Sequence, residues 1–453
     1  MKRVAIIGAG ITGLTAAFCL QRKGIPVTVY EASGRAGGVI QSVRKDGFLA
    51  ESGPNTLLET APEVSRLISE LNLESRRQYT RPDAKTRFVV RARRPVAMPS
   101  SPPGIFVSPL LSVRAKLALL LEPFVPRRLD GGEESVAEFV TRRLNREFLD
   151  RLVDALVGGI YAGDPRRLSV QHALPRVAQL EANYGSLIKG QVLGARDRKR
   201  RGQAARDRAP GFSFDDGLQV LPDTLAMRLG DALNFNASVG RITRVGDTWR
   251  VTSVRDEADF AAVIYCGTAY RLAQLEITAD LPVDVSVFSE IRYAPVASVV
   301  LGFRREDVAH PCQGFGMLIP GIEGFKILGT IFSSALFSNR APAGHVLLSS
   351  YVGGERNPEL AGARHDELAR ITREDLGILL GVKGAPVFQH TALYPRAIPQ
   401  YNVGYGKFKQ LLNDIESRAR GLFFAGHFRD GISLGDSIVS GTGAAGRAEN
   451  FLK

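Results

Sequence analysis

The stretch Val4-Ala5-Ile6-Ile7-Gly8-Ala9-Gly10-Ile11-Thr12-Gly13 constrains the fold of this chain more than any other. A short apolar run passes into Gly-x-Gly-x-x-Gly and then into a helical pattern, Leu14-Thr15-Ala16-Ala17-Phe18. The first glycine permits a tight turn and the second lets backbone approach a pyrophosphate. The third lets the helix pack closely on the strand. A diphosphate then sits at the helix N-terminus, where unpaired N–H groups and the helix dipole favour negative charge. A second apolar run, Pro26-Val27-Thr28-Val29-Tyr30, ends at Glu31, where an acidic residue meets a ribose 2′-hydroxyl. The expectation is a Rossmann-type βαβ unit that holds a dinucleotide.

Downstream, Arg35-Ala36-Gly37-Gly38 looks like the extended fingerprint of two-domain FAD enzymes. Its glycines allow close approach to the cofactor, and Arg35 is placed to neutralise the phosphate side. Glu51-Ser52-Gly53-Pro54-Asn55 resembles the segment that passes near the flavin in those enzymes. FAD is expected to be held non-covalently: no cysteine follows Cys312, which rules out a cysteinyl-flavin link near the C-terminus.

At 453 residues the chain exceeds what one hydrophobic core supports, so two or three domains are expected. Its 59 basic and 46 acidic residues give a net charge of +13, suited to nucleic acid, an anionic membrane surface or an acidic substrate. The basic run at 194–208, with Lys199-Arg200-Arg201, lacks the interleaved aromatics that stack on bases. It reads as a solvated loop, and no nucleic-acid partner is expected. The three cysteines are widely spaced and the six histidines scattered, so neither a metal site nor a structural disulfide is expected. The first residues read as a buried strand, not a signal peptide. No stretch reaches the roughly 18 uncharged apolar residues of a membrane span. The expected location is cytoplasmic, peripheral on the inner face of the cytoplasmic membrane.

Residues 58–77 carry a helical pattern. Phe88–Val90 and Pro95–Pro99 read as strands joined by the basic turn Arg91-Ala92-Arg93-Arg94. The segment 103–126 is apolar and rimmed by Arg114, Lys116, Arg127 and Arg128, which suits either a membrane surface or a buried helix. Residues 134–182 read as helical, starting from a Ser135-x-x-Glu138 capping box and breaking at Val157–Pro165, where three glycines stand in six residues. Strands are expected over 238–266 and 291–352, then a helix near 363–380. A final strand and turn, Gly421–Gly426, leads through Gly431 into the last helix.

These blocks together resemble the oxygen-dependent protoporphyrinogen oxidase family, within the flavin amine-oxidase-like superfamily. The carriers, in order, are Gly159–Pro165 with Leu168-Ser169, then Gly217-Leu218 with Leu221-Pro222, then Gly314-Phe315-Gly316 and Gly329–Ser334. Phe337 with Arg340-Ala341-Pro342, Tyr351–Gly354, Ala397–Tyr401 and Gly431–Ile438 complete the series. The resemblance implies an α/β (α+β overall) fold in three parts. These are a discontinuous Rossmann-type FAD-binding domain (1–84, 210–268 and 391–453), a sheet-based substrate domain (85–102 and 269–390) and a helical, membrane-associating subdomain (103–209).

It further implies a six-electron, O2-dependent oxidation of protoporphyrinogen IX to protoporphyrin IX, with hydride passing to flavin N5 and H2O2 released. The implied cofactor-binding residues are Gly8, Gly10, Thr12, Gly13, Glu31, Ala32, Arg35, Gly37, Gly38, Gly53, Pro54, Asn55, Val239, Gly426, Asp436, Ile438 and Val439. Gly159, Gly163, Leu301 and Phe315 are the implied substrate contacts. Handover to a ferrochelatase and a homodimer are implied partners. No His or carboxylate is required as a general base. Coproporphyrinogen III as substrate, another flavin amine oxidase, and a non-catalytic flavin-binding scaffold stand as alternatives. The sequence departs from the family at Ser100-Ser101-Pro102-Pro103, where a propionate-binding arginine is expected. Arg91, Arg93, Arg94 and Arg114 are substitutes without positional support. Tyr394 stands where the family often has Trp.

Overall fold

The computed structural model describes residues 2–99, 101–128, 131–200, 210–279 and 283–453. Strand β1 (Val4–Ile7), helix α1 (Ile11–Gln21) and strand β2 (Val27–Tyr30) form the predicted βαβ unit. β1 pairs in parallel with β2 on one side and with the strand Ala262–Tyr265 on the other. The complete five-stranded sheet runs Leu233–Asn234, β2, β1, Ala262–Tyr265, Leu422–Phe424. Strands covered on both faces must be continuously apolar, as Val4–Ile7 and Ala262–Tyr265 are. The sheet thus draws on the start, middle and end of the chain.

The terminal helix Leu434–Leu452 lies directly on α1. Gly441 makes this approach feasible, since a Cβ there would land on the carbonyl oxygen of Thr12. Tight glycine contact lets two backbones close on one another, so α1 is buried along nearly its whole length.

A second, seven-stranded sheet has the order Phe388–Pro399, Tyr293–Arg304, His345–Gly353, Ile327–Ile331, Gly316–Leu318, Arg87–Arg91, Arg94–Ala97. All neighbours are antiparallel except Gly316–Leu318 with Arg87–Arg91. Side chains alternate between faces. Ala297, Val299, Leu301 and Phe303 pack under the helix His365–Leu380, which supplies Leu368, Leu376 and Leu379. Val300, one residue out of phase, joins Phe48 and Ala50 on the other face.

The structure corrects four expectations. Residues 391–399 continue a strand of the second sheet, so the join expected at 391 cuts through an element. Glu276–Thr278 pairs with Val239–Val245, on the nucleotide side of the join expected at 268. The helix Asp154–Tyr161 runs straight through Gly158 and Gly159 and ends at Ala162, so there is no break at 157. The helix Leu187–Arg200 also carries the first half of the basic run, where a loop was expected; residues 201–209 lie outside the described residues. The pattern over 58–77 resolves into a helix, Pro62–Glu70, and a short strand, Arg77–Tyr79. The Ser135–Glu138 capping box is present. The two helices Pro102–Val107 and Val113–Leu121 are exposed on their apolar side.

Candidate functional site

The glycine turn has the form a dinucleotide needs. Gly8 adopts φ +104°, and a Cβ on Gly13 would land on the Gly8 carbonyl oxygen. A Cβ on Gly10 would meet nothing within 4 Å, so open space lies in front of the α1 N-terminus, whose cap offers no side-chain acceptor. The Glu31 carboxylate accepts from the Ala9 N–H at 2.7 Å and from the N–H and hydroxyl of Ser33 at 2.8 and 2.7 Å. Ala32 is exposed beside it, and Val239 lies partly buried at the start of its strand. From the far end of the chain, Gly426 (φ +119°) comes to face the Thr12 hydroxyl. These open, N–H-rich surfaces fit the diphosphate and ribose of FAD.

Four predicted residues take on structural roles. Arg35 turns back on its own loop and donates to the carbonyls of Ala36 (3.2 Å), Gly38 and Ile40 (3.1 Å). It stabilises the turn that contains Gly37 and Gly38. Asp436 is the acidic half of a capping box with Ser433, which occupies part of the terminal helix's N-terminus. Ile438 is wholly buried in the core against α1, whereas Val439 is open. Leu301 is the clearest correction: strand alternation points it into the core beneath His365–Leu380.

The segment Glu51–Asn55 is clamped to the second sheet along its length. Ser52 Oγ lies 2.9 Å from His390 Nε2. The Tyr351 hydroxyl donates to the Gly53 carbonyl at 3.2 Å and accepts from Asn55 Nδ2 at 2.7 Å. Ser333 Oγ lies 3.3 Å from Asn55 Oδ1 and 2.8 Å from Ser349 Oγ. Burial pushes the Tyr351 phenol up and the His390 imidazole down, so both stay neutral near pH 7. Tyr394 approaches Gly53 on the same face; burial raises its phenol while Arg35 partly opposes that rise. Tyr351 and Tyr394 were legible as motif residues, but their shared face follows only from the register of their two strands with Tyr293–Arg304.

Gly159 lies on a helix face between exposed Leu156 and Ile160, and a Cβ there would collide with Leu318. Its absent side chain lets the helix Asp154–Tyr161 close on the sheet. Leu318 was not among the predicted residues. Phe315 packs with Ile331 and Leu336 beneath the Arg87 guanidinium, 5.3 Å from the ring centre. Gly163 is pressed by Gln400 and Leu168, and it borders a cavity of about 480 Å³. The arginines there are already paired, Arg356 with Asp154 (3.1 Å) and Arg146 with Asp150 (3.2 Å). Among the described residues no group of His, Cys, Asp and Glu is placed to hold a metal ion. None of their helices is long and apolar enough to cross a membrane.

Comparison with known proteins places this architecture. The model of the flavin containing amine oxidoreductases matches residues 11–448. Protoporphyrinogen oxidase 2, chloroplastic/mitochondrial, of Arabidopsis thaliana is 36% identical over 481 residues, covering 100% of this chain and 94% of that protein. Coproporphyrinogen III oxidase of Bacillus subtilis (strain 168) is 29% identical, covering 100% and 98%. A crystal structure from Exiguobacterium sp. 255-15, provisionally named protoporphyrinogen oxidase, superposes with a TM-score of 0.83 at 22% identity. It covers 100% of this chain and 99% of the other, a likeness of fold. The glycine cradle, the FAD it is shaped for and the match along nearly the whole chain agree: the chain is an oxidoreductase of the flavin containing amine oxidoreductase family.

Proposed function

We propose that the chain oxidises protoporphyrinogen IX to protoporphyrin IX with O2 as terminal oxidant. The observation that carries this reading is the full-length similarity to proteins named protoporphyrinogen oxidase. When bound, FAD supplies a two-electron acceptor that oxygen can reoxidise, so removal of six electrons and six protons takes three O2 and yields three H2O2. Gly8, Gly10 and Gly13 receive the diphosphate, and Glu31 receives the ribose. The clamp on Glu51–Asn55 fixes that backbone before any ligand arrives, which lowers the ordering cost of binding. Leu318, Phe315, Tyr351 and Tyr394 offer a largely apolar, aromatic surface suited to a flat macrocycle and to excluding water from it. Under this reading the porphyrin passes to a ferrochelatase, and the protein sits peripherally at the inner face of the cytoplasmic membrane.

Coproporphyrinogen III is the second reading, favoured by the full-length similarity to the Bacillus subtilis enzyme of that name. Anaerobic mixing of the FAD-loaded protein with each porphyrinogen separates the two. The preferred substrate bleaches the flavin absorbance faster, and admitted air then produces fluorescent porphyrin. Failure of both porphyrinogens to bleach the flavin overturns the proposal; turnover of a simple amine in their place redirects it.

A further inference from the structure

Three parallel strands of the first sheet end level with one another, since Ile7 registers with Tyr265 and Tyr265 with Phe424. Ligands of such sheets bind in the crevice beyond the carboxyl ends of the strands. The chain leaves these strands through Gly8, through Cys266 and Gly267, and through Ala425 and Gly426. A Cβ on Gly426 would come within 3.9 Å of the Thr12 hydroxyl and of the Cys266 and Gly267 carbonyls. His427 follows at once, and it was not among the expected cofactor contacts.

Both the backbone and the ring of His427 are held in place. The buried Tyr401 donates its hydroxyl to the His427 carbonyl, and the buried Tyr405 donates to the Phe428 carbonyl at 2.6 Å. Tyr293 packs edge-on against the imidazole, with ring centres 5.7 Å apart and planes at 84°. Its oxygen lies 3.2 Å from His427 Nε2 and already accepts from the Ala269 N–H at 3.0 Å. A phenol has one hydrogen to donate, and that of Tyr293 goes to Nε2. Burial pulls the imidazole down to about 4 and pushes the phenol up, so both are neutral near pH 7. A neutral imidazole carries a single proton. With Nε2 accepting, that proton is on Nδ1.

Nδ1–H is thus a donor of fixed direction. Among the described residues it meets no acceptor, and it is open rather than sealed. The ring lies deep enough among protein atoms to lose basicity, yet it keeps accessible surface, so it borders internal space beside Gly426. The chain of FAD between flavin and adenosine presents only oxygens, either ribityl hydroxyls or phosphate oxygens, and each of them can accept.

We propose that His427 is a further FAD-binding residue, whose Nδ1–H donates to an oxygen of the ribityl-diphosphate chain, and that Tyr293 is the positioning residue that fixes this tautomer. The site requires FAD but no particular substrate, so its test is separate from that of the porphyrinogen reading. FAD is removed from the full chain and titrated back, with flavin fluorescence as the signal. His427→Phe should bind FAD about ten-fold more weakly, as the loss of one hydrogen bond predicts. His427→Asn, whose amide also donates, should recover most of that loss. In long-range proton–nitrogen spectra of histidine-labelled protein, His427 should carry its proton on Nδ1, and that nitrogen should shift when FAD is added. Tyr293→Phe should mix the two tautomers and weaken FAD binding, although it removes no group that touches FAD. A cooperative melt shows that each variant is folded. ADP, which has the diphosphate without the ribityl chain, tells the two acceptors apart. An equal loss for ADP puts the bond on a phosphate oxygen, and a loss confined to FAD puts it on a ribityl hydroxyl; either outcome supports the site. A proton on Nε2, wild-type FAD affinity in His427→Phe, or equal losses in His427→Phe and His427→Asn overturns the proposal.

Discussion

Glu31 sits at the end of β2, and its carboxylate is held by the Ala9 N–H and by Ser33 before a ligand is present. Its position was readable because the end of a strand in a βαβ unit is fixed by the strand itself. His427 is the opposite case, a side chain that neither the Gly421–Gly426 motif before it nor the Gly431–Ile438 block after it singles out. It lies 3.2 Å from the Tyr293 hydroxyl, in the turn that follows Gly426, and burial pulls it down to about 4 from its ordinary 6.5. Above 6.5 both the folded and unfolded chains are neutral at this residue, and its contribution to stability is complete. As pH falls from 6.5 toward 4, only the unfolded chain takes up a proton, so stability falls, by about 2 kcal/mol at about pH 5. Urea unfolding of wild type and His427→Gln near neutrality and near pH 5 measures this. The variant should lack that part of the pH dependence, and equal slopes for the two proteins would refute the assignment.

Among the elements, the terminal helix and α1 depend on one contact. Gly441 on Leu434–Leu452 meets the Thr12 carbonyl backbone to backbone. Gly441→Ala should push the helices apart, costing about 1–3 kcal/mol as overpacking does. It should also loosen FAD, because Thr12 and Gly426 face each other beside that contact. The urea midpoint and the flavin fluorescence in an ultrafiltrate report the two effects; an unchanged midpoint would show that the helices can shift freely. Glycine spacing made the first helix legible, and the apolar 421–425 run made the last strand legible. Gly159 misled because glycine weakens a helix by only about 1 kcal/mol, which packing against Leu318 offsets. Leu301 misled because alternation shows that a strand has two faces, without saying which one faces the core under a helix.

For the whole molecule, Arg340 joins three distant segments. Its guanidinium lies 2.9 Å from Glu51 and 2.6 Å from Ser213, all of it out of water. Glu51 also accepts from the Ser42 hydroxyl and the Leu218 N–H, at 2.6 and 2.9 Å. Burial pushes the Glu51 carboxyl up and the Arg340 guanidinium down, and each charge offsets the cost of burying the other. Arg340→Met should cost about 3–5 kcal/mol, because it strands a buried carboxylate. Adding Glu51→Gln should restore part of that loss, and a double-mutant cycle by chemical denaturation measures the coupling. Strictly additive losses would show that the pair is not a unit.

The sequence by itself determined the cofactor cradle, the α/β class, the capped start of the helix Val136–Arg143 and where along the chain the strand-rich stretches fall. Each of these is set by local spacing: glycines that only a tight turn requires, periods of two and 3.6, and a serine three residues before a glutamate. Only the tertiary structure decided which face of each strand is buried, that residues 391–399 extend the second sheet, and that Arg35 serves its own turn. It alone set Tyr351 on Gly53 and Asn55, and Tyr293 on His427. These pairings join residues tens to hundreds of positions apart or depend on strand register, and no local pattern encodes the register between distant strands.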